Sequence, residues 1–381
     1  MHITRRQWLI DAGTSTVATL AAVPSAWGAP PAGSKPLVVG QSVPLTGAAS
    51  EIGLAFAAGS KLYVDAFNAR PDTPRRIDLR PLDDGYDAAR AGANARKLLA
   101  DGADLLFGFV GTASSKAGAD VARSEGAVLL APFAASDALR DGSYPQVFHV
   151  RASMADEAFK MVRHCTTIGQ TRIAVMAEDD AMGRAGLEAV NKAIAELKLA
   201  PLVGSAFVPS NSAKVDEAVA SLSALKPQAI IQVSLFNTTA AFIRQMRKTG
   251  YSGSFMNFSV VGIDPLFTAL GKEINGVVVS QVVPAPRDLT RPVVREYLAA
   301  IETSDQTPTY ESLEGFIAAK ALGEAVRRSG GSVSRATMQR TLASMNDYDV
   351  GGYQLHLRAG VRESAWAIEL VSIRSDGRLI R

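Results

Sequence analysis

Three short runs of small and hydroxylated residues carry the most chemistry in this chain: Thr46-Gly47, Gly111-Thr112-Ala113-Ser114-Ser115 and Phe133-Ala134-Ala135-Ser136. Each follows an apolar run that reads as a strand. Loops of this kind set backbone N–H groups and hydroxyls at helix N-termini, where unpaired donors and the helix dipole favour an anionic group. Plain N-capping by Thr112, Ser114, Ser115 and Ser136 would use the same residue types. Three such loops on neighbouring strands shift the balance toward a site, because ligands of open α/β sheets bind outside the carboxyl ends of the strands.

Motifs for reaction chemistry are scarce. No G-x-G-x-x-G follows the first strand-like run and no G-x-x-x-x-G-K-[ST] occurs, so neither nucleotide cradle is supported. Gly250-Tyr251-Ser252-Gly253 lacks the spacing of a nucleophile elbow and reads as a helix end and turn. His149, His164 and His356 do not have metal-site spacing, and Cys165, in an apolar helical pattern with Phe159 and Val162, reads as a small buried residue. Asp83-Asp84 and Glu178-Asp179-Asp180 follow strand-like runs and read as solvated loop or helix-start carboxylates. We therefore expect no catalytic residue, metal or cofactor.

The elements that would position these loops alternate from about residue 36. Strand-like runs at 37–40, 77–82, 105–107 and 128–130 are separated by helical stretches ending near Asn68, at 88–100 and at about 115–125. The pattern restarts after Arg151, with strands at 173–176, 229–233 and 277–279 between helices marked by Leu187, Val190, Ile194 and Leu197, by Val215 to Leu225, and by Phe242, Ile243 and Met246. Uninterrupted apolar strands separated by helices predict parallel sheets covered on both faces. Two such blocks predict two lobes, in keeping with 381 residues, more than one core usually serves. Val282 to Pro286 reads as a crossing segment, followed by helices near 293–303 and 313–328 and strand-like runs at 353–357 and 367–373.

Hydrophobic residues make up 47 % and charged residues 20 % of the chain, and no Lys/Arg stripe accompanies the net charge of +3, so nucleic acid is not an expected partner. Residues 1–28 read as an export signal: a short positive start, an apolar stretch from Trp8 to Val23, and small residues before a cleavage point after Gly28. Thr4-Arg5-Arg6-Gln7-Trp8-Leu9-Ile10 is similar to a twin-arginine signal, although a general secretory signal would also fit. Asp11 and the short apolar run argue against a membrane span, and no Cys follows to carry a lipid anchor. A periplasmic location is expected.

Taken in order along the chain, several segments resemble the leucine/isoleucine/valine-type periplasmic binding proteins of ABC transporters. They are Pro44-Leu45-Thr46-Gly47, Asp83-Asp84-Gly85-Tyr86-Asp87, Gly108-Phe109-Val110-Gly111-Thr112, Pro132-Phe133, Val147 to Ser153, Asp180-Ala181-Met182-Gly183, Gly276 to Val279 and Leu313 to Lys320. The resemblance implies an α/β fold of two Rossmann-like lobes joined by a three-segment hinge. It places residues 35–151 plus 283–340 in the first lobe and 152–282 plus 341–381 in the second. It implies a small-molecule ligand held in the interlobe cleft, a membrane permease as partner, and a monomer.

The family's ligand carboxylate positions fall on Thr112 and on Phe133, Ala134 and Ala135, with Ser136 as a substitute hydroxyl. Its acidic positions for the ligand ammonium fall on Ser259 and near Met154, and its aromatic positions on Ile52, Met182 and Leu235 or Phe236. Without those acids a buried ammonium would lose a charge-assisted hydrogen bond, on the order of 1.5–3 kcal/mol. The departure implies a carboxylate without an α-amino group, with an amino-acid-like ligand as the alternative. Uptake is the first reading of function; a sensory receptor on the same fold is the alternative.

Overall fold

The computed structural model describes residues 35–140, 142–330, 334–357 and 368–380. The expected export signal at 1–28 lies outside them. The first sheet contains β1 (Leu37–Val43), β2 (Ile77–Asp83), β3 (Leu105–Phe107), β4 (Leu129–Leu130) and β5 (Val147–Phe148), in the spatial order β2-β1-β3-β4-β5 and parallel throughout. The helices α1 (Ser50–Asn68), α2 (Ala88–Ala100) and α3 (Thr112–Ser124) connect its strands. The order reverses between β1 and β3, and a crevice opens at such a switch point.

After β5 the chain passes into α4 (Met154–Thr167) and builds a second sheet. This sheet holds β6 (Ile173–Glu178), β7 (Gly204–Val208), β8 (Ala229–Val233), β9 (Ser254–Asn257) and β10 (Val277–Gln281), linked by α5 (Ala181–Glu196), α6 (Asp216–Ala224), α7 (Phe236–Lys248) and α8 (Ile263–Leu270). Every residue of β6 and β8 is buried, which is why both read as continuous apolar runs. By contrast β7 lies at the sheet edge with alternating burial, and its sequence gives no such run.

Val282–Pro286 then returns the chain to the first lobe. There α9 (Pro292–Ile301), α10 (Tyr310–Arg328) and α11 (Arg335–Ala343) follow. Helix α10 packs tightly against α1: a Cβ on Gly59 would lie 1.8 Å from the Ser312 carbonyl oxygen, so only glycine allows this approach. The short hairpin β11 (Tyr348–Asp349) and β12 (Gln354–Leu355), expected with the second lobe, is tied to α9 instead, Val293 N–H donating to the Gly351 carbonyl at 3.0 Å. The chain ends in the second sheet with β13 (Glu369–Ile373), antiparallel to β10, and β14 (Leu379–Ile380), antiparallel to β13. An antiparallel edge on a parallel core is a common variation.

Candidate functional site

The carboxyl ends of both sheets look onto one cleft. Its first wall comes from Ala49 and Ile52 at the start of α1, Tyr86 after β2, Val110, Gly111 and Thr112 after β3, and Phe133, Ala134 and Ala135 after β4. The facing wall comes from Met154 and Met182 in the first turns of α4 and α5, Leu235 before α7, and Val260 after β9. A cavity of only about 10 Å³, room for about one water, lies between these walls. The lobes stand nearly shut, and admitting a ligand larger than a few waters requires them to part.

The two walls differ in chemistry. On the first, α3 starts at Thr112 after Gly111, whose φ of 94° is open to glycine, and no side chain caps the helix. The N–H groups of Thr112, Ala113 and Ser114, the Thr112 hydroxyl, and the N–H groups of Ala134 and Ala135 make no hydrogen bond among the described residues. The backbone around them is pinned: Gly111 N–H donates to the Phe133 carbonyl at 3.0 Å, Phe133 N–H to Phe109 at 2.8 Å, and Met154 N–H to Ala135 at 2.7 Å. Fixed, unpaired donors beside a helix N-terminus favour an anion. Capping thus does not explain Thr112. It does explain Ser136, which accepts from Ala138 N–H at 3.4 Å, while the Ser115 hydroxyl donates to the Phe109 carbonyl at 3.0 Å.

The structure brings Ile52, Thr112, Phe133, Ala134, Ala135, Met154 and Met182 together at the cleft. Ser136, Phe236 and Ser259 do not line it. Ser136 faces a side groove with Asp137, Arg140 and Lys192. Phe236 opens α7, and its neighbour Leu235 takes the place on the wall. Ser259 begins a single 3₁₀ turn, Ser259–Val261; successive side chains there point about 120° apart, so Val260 faces the cleft and Ser259 turns away. Sequence reasoning passed over Tyr86, whose signal was the Gly85-Tyr86 pair in a loop following a strand. It also passed over Ala49, Val110 and Val260, small or aliphatic residues with no local mark of function.

Behind the Phe133 ring lies a buried charge cluster, also missed. Arg151, fully buried in the first crossing segment, holds its guanidinium 4.3 Å from the Phe133 ring centre. It hydrogen-bonds the Ser259 hydroxyl and approaches Glu314 of α10 at 3.6 Å and Glu157 of α4 at 3.9 Å. Glu157 in turn accepts from Ser259 N–H at 2.8 Å and from the Ser280 hydroxyl at 2.5 Å. Burial pushes the Glu314 carboxyl up to about 7 against the pull of Arg151, and raises Glu157 for the same reason. The acidic runs expected to be solvated or to start helices are so only in part: Asp179 is exposed and Asp180 caps α5, accepting from Gly183 N–H at 2.8 Å. Asp84 and Glu178 are fully buried. Asp83 accepts from Thr46 Oγ1 at 2.7 Å and from the Leu45, Thr46 and Gly85 N–H groups, contacts that lower its carboxyl to about 2, the Thr46 hydroxyl most of all. These carboxylates clamp loops at the cleft rim.

Among the described residues, no group of three or more His, Cys, Asp or Glu side chains is placed to hold a metal ion, and no helix is long and apolar enough to cross a membrane. The sequence profile of the periplasmic binding protein family matches residues 36–372. A substrate-binding periplasmic protein from Ralstonia solanacearum is 30 % identical, with a TM-score of 0.81 over 90 % of this chain and 99 % of that one. A possible leucine/isoleucine/valine-binding protein from Rhodopirellula baltica is 28 % identical, with a TM-score of 0.83 over 91 % and 97 %. A solute-binding protein of an ABC transporter from R. palustris, solved with benzoate, shares the fold at 18 % identity and a TM-score of 0.79 over 91 % and 95 %. No protein of curated function matches the chain.

Proposed function

Because the chain belongs to the periplasmic binding protein family, we propose that it is the exported receptor of an ABC-type uptake system and binds a small organic carboxylate lacking an α-amino group. One observation carries the ligand assignment: the cleft offers unpaired donors on one wall and only apolar side chains on the other, with no carboxylate among its lining residues. Thr112 and the amides of Ala134 and Ala135 hold the anionic head; Ile52, Phe133, Met154 and Met182 enclose the body. An ammonium in this cleft would lose its water and meet no carboxylate on the lining. Neutral donors also suit a receptor that must release its cargo unaltered. The benzoate held by the R. palustris protein is a ligand of the proposed class. We assign the β11–β12 hairpin to the first lobe, because it is bonded to α9. Closure follows occupancy only to the extent that the ligand binds the closed form better.

Thermal-shift measurements with aromatic and aliphatic monocarboxylates, and with leucine, isoleucine and valine, test this. A carboxylate at one hundred times its Kd should stabilise the protein by about 2.7 kcal/mol. The amino acids should give no shift. A leucine shift equal to or larger than that of every carboxylate would overturn the assignment.

A further inference from the structure

We propose that Tyr86 is a specificity-determining residue of this cleft, its phenol hydroxyl donating a hydrogen bond to the ligand's carboxylate beside Thr112. The inference rests on the carboxylate reading above and extends it to a side chain from the loop after β2. Three features of the loop point the same way. First, Tyr86 lines the cleft, and its hydroxyl makes no hydrogen bond among the described residues. Second, its ring is pressed onto Gly111, the residue just before α3. A Cβ at Gly111 would stand 2.5 Å from Cε2 of the ring and 3.3 Å from the hydroxyl oxygen, so that oxygen sits next to the unpaired donors that open α3.

Third, the backbone goes to unusual lengths to keep the ring there. Tyr86 has a φ of 67°, a conformation that bulky side chains rarely adopt and that clusters at ligand sites. Buried Asp84 enforces it, accepting from Tyr86 N–H at 2.9 Å while Ser42 holds its other oxygen at 2.8 Å. Glu178 and Asp180 of the opposite lobe are already engaged by Ser210, by Asn211 N–H and by Gly183 N–H, and neither bonds the phenol. Burial, with those two acids nearby, pushes the phenol well above its ordinary value, so it remains a protonated donor at every working pH.

A donor aimed at the head makes a prediction that a contact to the body does not. Tyr86→Phe keeps the ring on Gly111 and removes only the hydroxyl. Calorimetry with benzoate, phenylacetate, 3-phenylpropionate and hexanoate should show a loss of roughly tenfold or more in affinity, consistent with one hydrogen bond to a charged group, and similar for every acid that binds the native protein. Unchanged affinities in the variant would overturn the inference and leave the carboxylate reading standing. A loss confined to ligands of one shape would also overturn it, placing Tyr86 against the body. No binding of any of these acids to the native protein would overturn both.

Discussion

The cleft and the hinge core behind it are separated by the thickness of one phenyl ring, yet they are built from opposite materials. On the cleft side of Phe133 the polar groups are neutral donors without partners. On the other side Arg151, Glu157 and Glu314 are packed together with almost no exposure, joined by Ser259 and Ser280. The chain therefore does not lack buried charge; it keeps that charge off the lining of the cleft. A fixed cation in the cleft would hold an anion tightly and slow its release, whereas neutral amides hold it through dipoles alone. The charges serve the hinge, because Arg151 meets Glu314 of the first lobe and Glu157 and Ser259 of the second. Ring and guanidinium contact one another as a cation–π pair.

The most forceful way to break this contrast is to remove the cation. Arg151→Met strands two buried carboxylates and should cost about 3–5 kcal/mol of unfolding stability, read from denaturant midpoints. A loss below about 1 kcal/mol would mean the cluster is not a structural unit. The opposite intervention acts on the cleft. Thr112→Val should leave the unliganded protein's melting temperature unchanged while weakening carboxylate binding by about 1–3 kcal/mol; unchanged affinity by calorimetry removes Thr112 from the site.

The smallest effect sharpens the hinge side through pH. Glu314 titrates near 7 when folded, against an ordinary 4.5, because burial disfavours its charge. The folded protein thus holds a proton that the unfolded chain has released, and stability falls as pH rises through that window. Glu314→Gln should make the decline between about pH 4.5 and 7 shallower. An unchanged slope would assign the titration to its neighbours, of which Glu311, also raised to about 7 by burial, is the first candidate.

Much of this molecule was legible in advance for a simple reason: a strand buried on both faces must be apolar along its whole length. The runs at β3, β6 and β8 announce themselves, and α2 keeps its expected bounds, Ala88–Ala100, because Asp87 caps its start. The edge strand β7 and the two-residue β5 carry no comparable signal and were not anticipated. The donor-rich loops were legible too, since small and hydroxylated residues after an apolar run are a local pattern.

Local order along the chain determined the two-lobed α/β plan and the loops that face one another. It could not decide which side of a single turn looks inward. Whether Ser259 or Val260 reaches the cleft depends on a 3₁₀ turn, and the choice between Leu235 and Phe236 depends on where α7 begins. Nor could it show that Arg151, Glu157 and Glu314 meet, because Arg151 and Glu314 are separated by most of the second lobe in sequence and are joined only when α10 folds back onto α1. Long-range packing sets those distances, and no spacing along the chain encodes them.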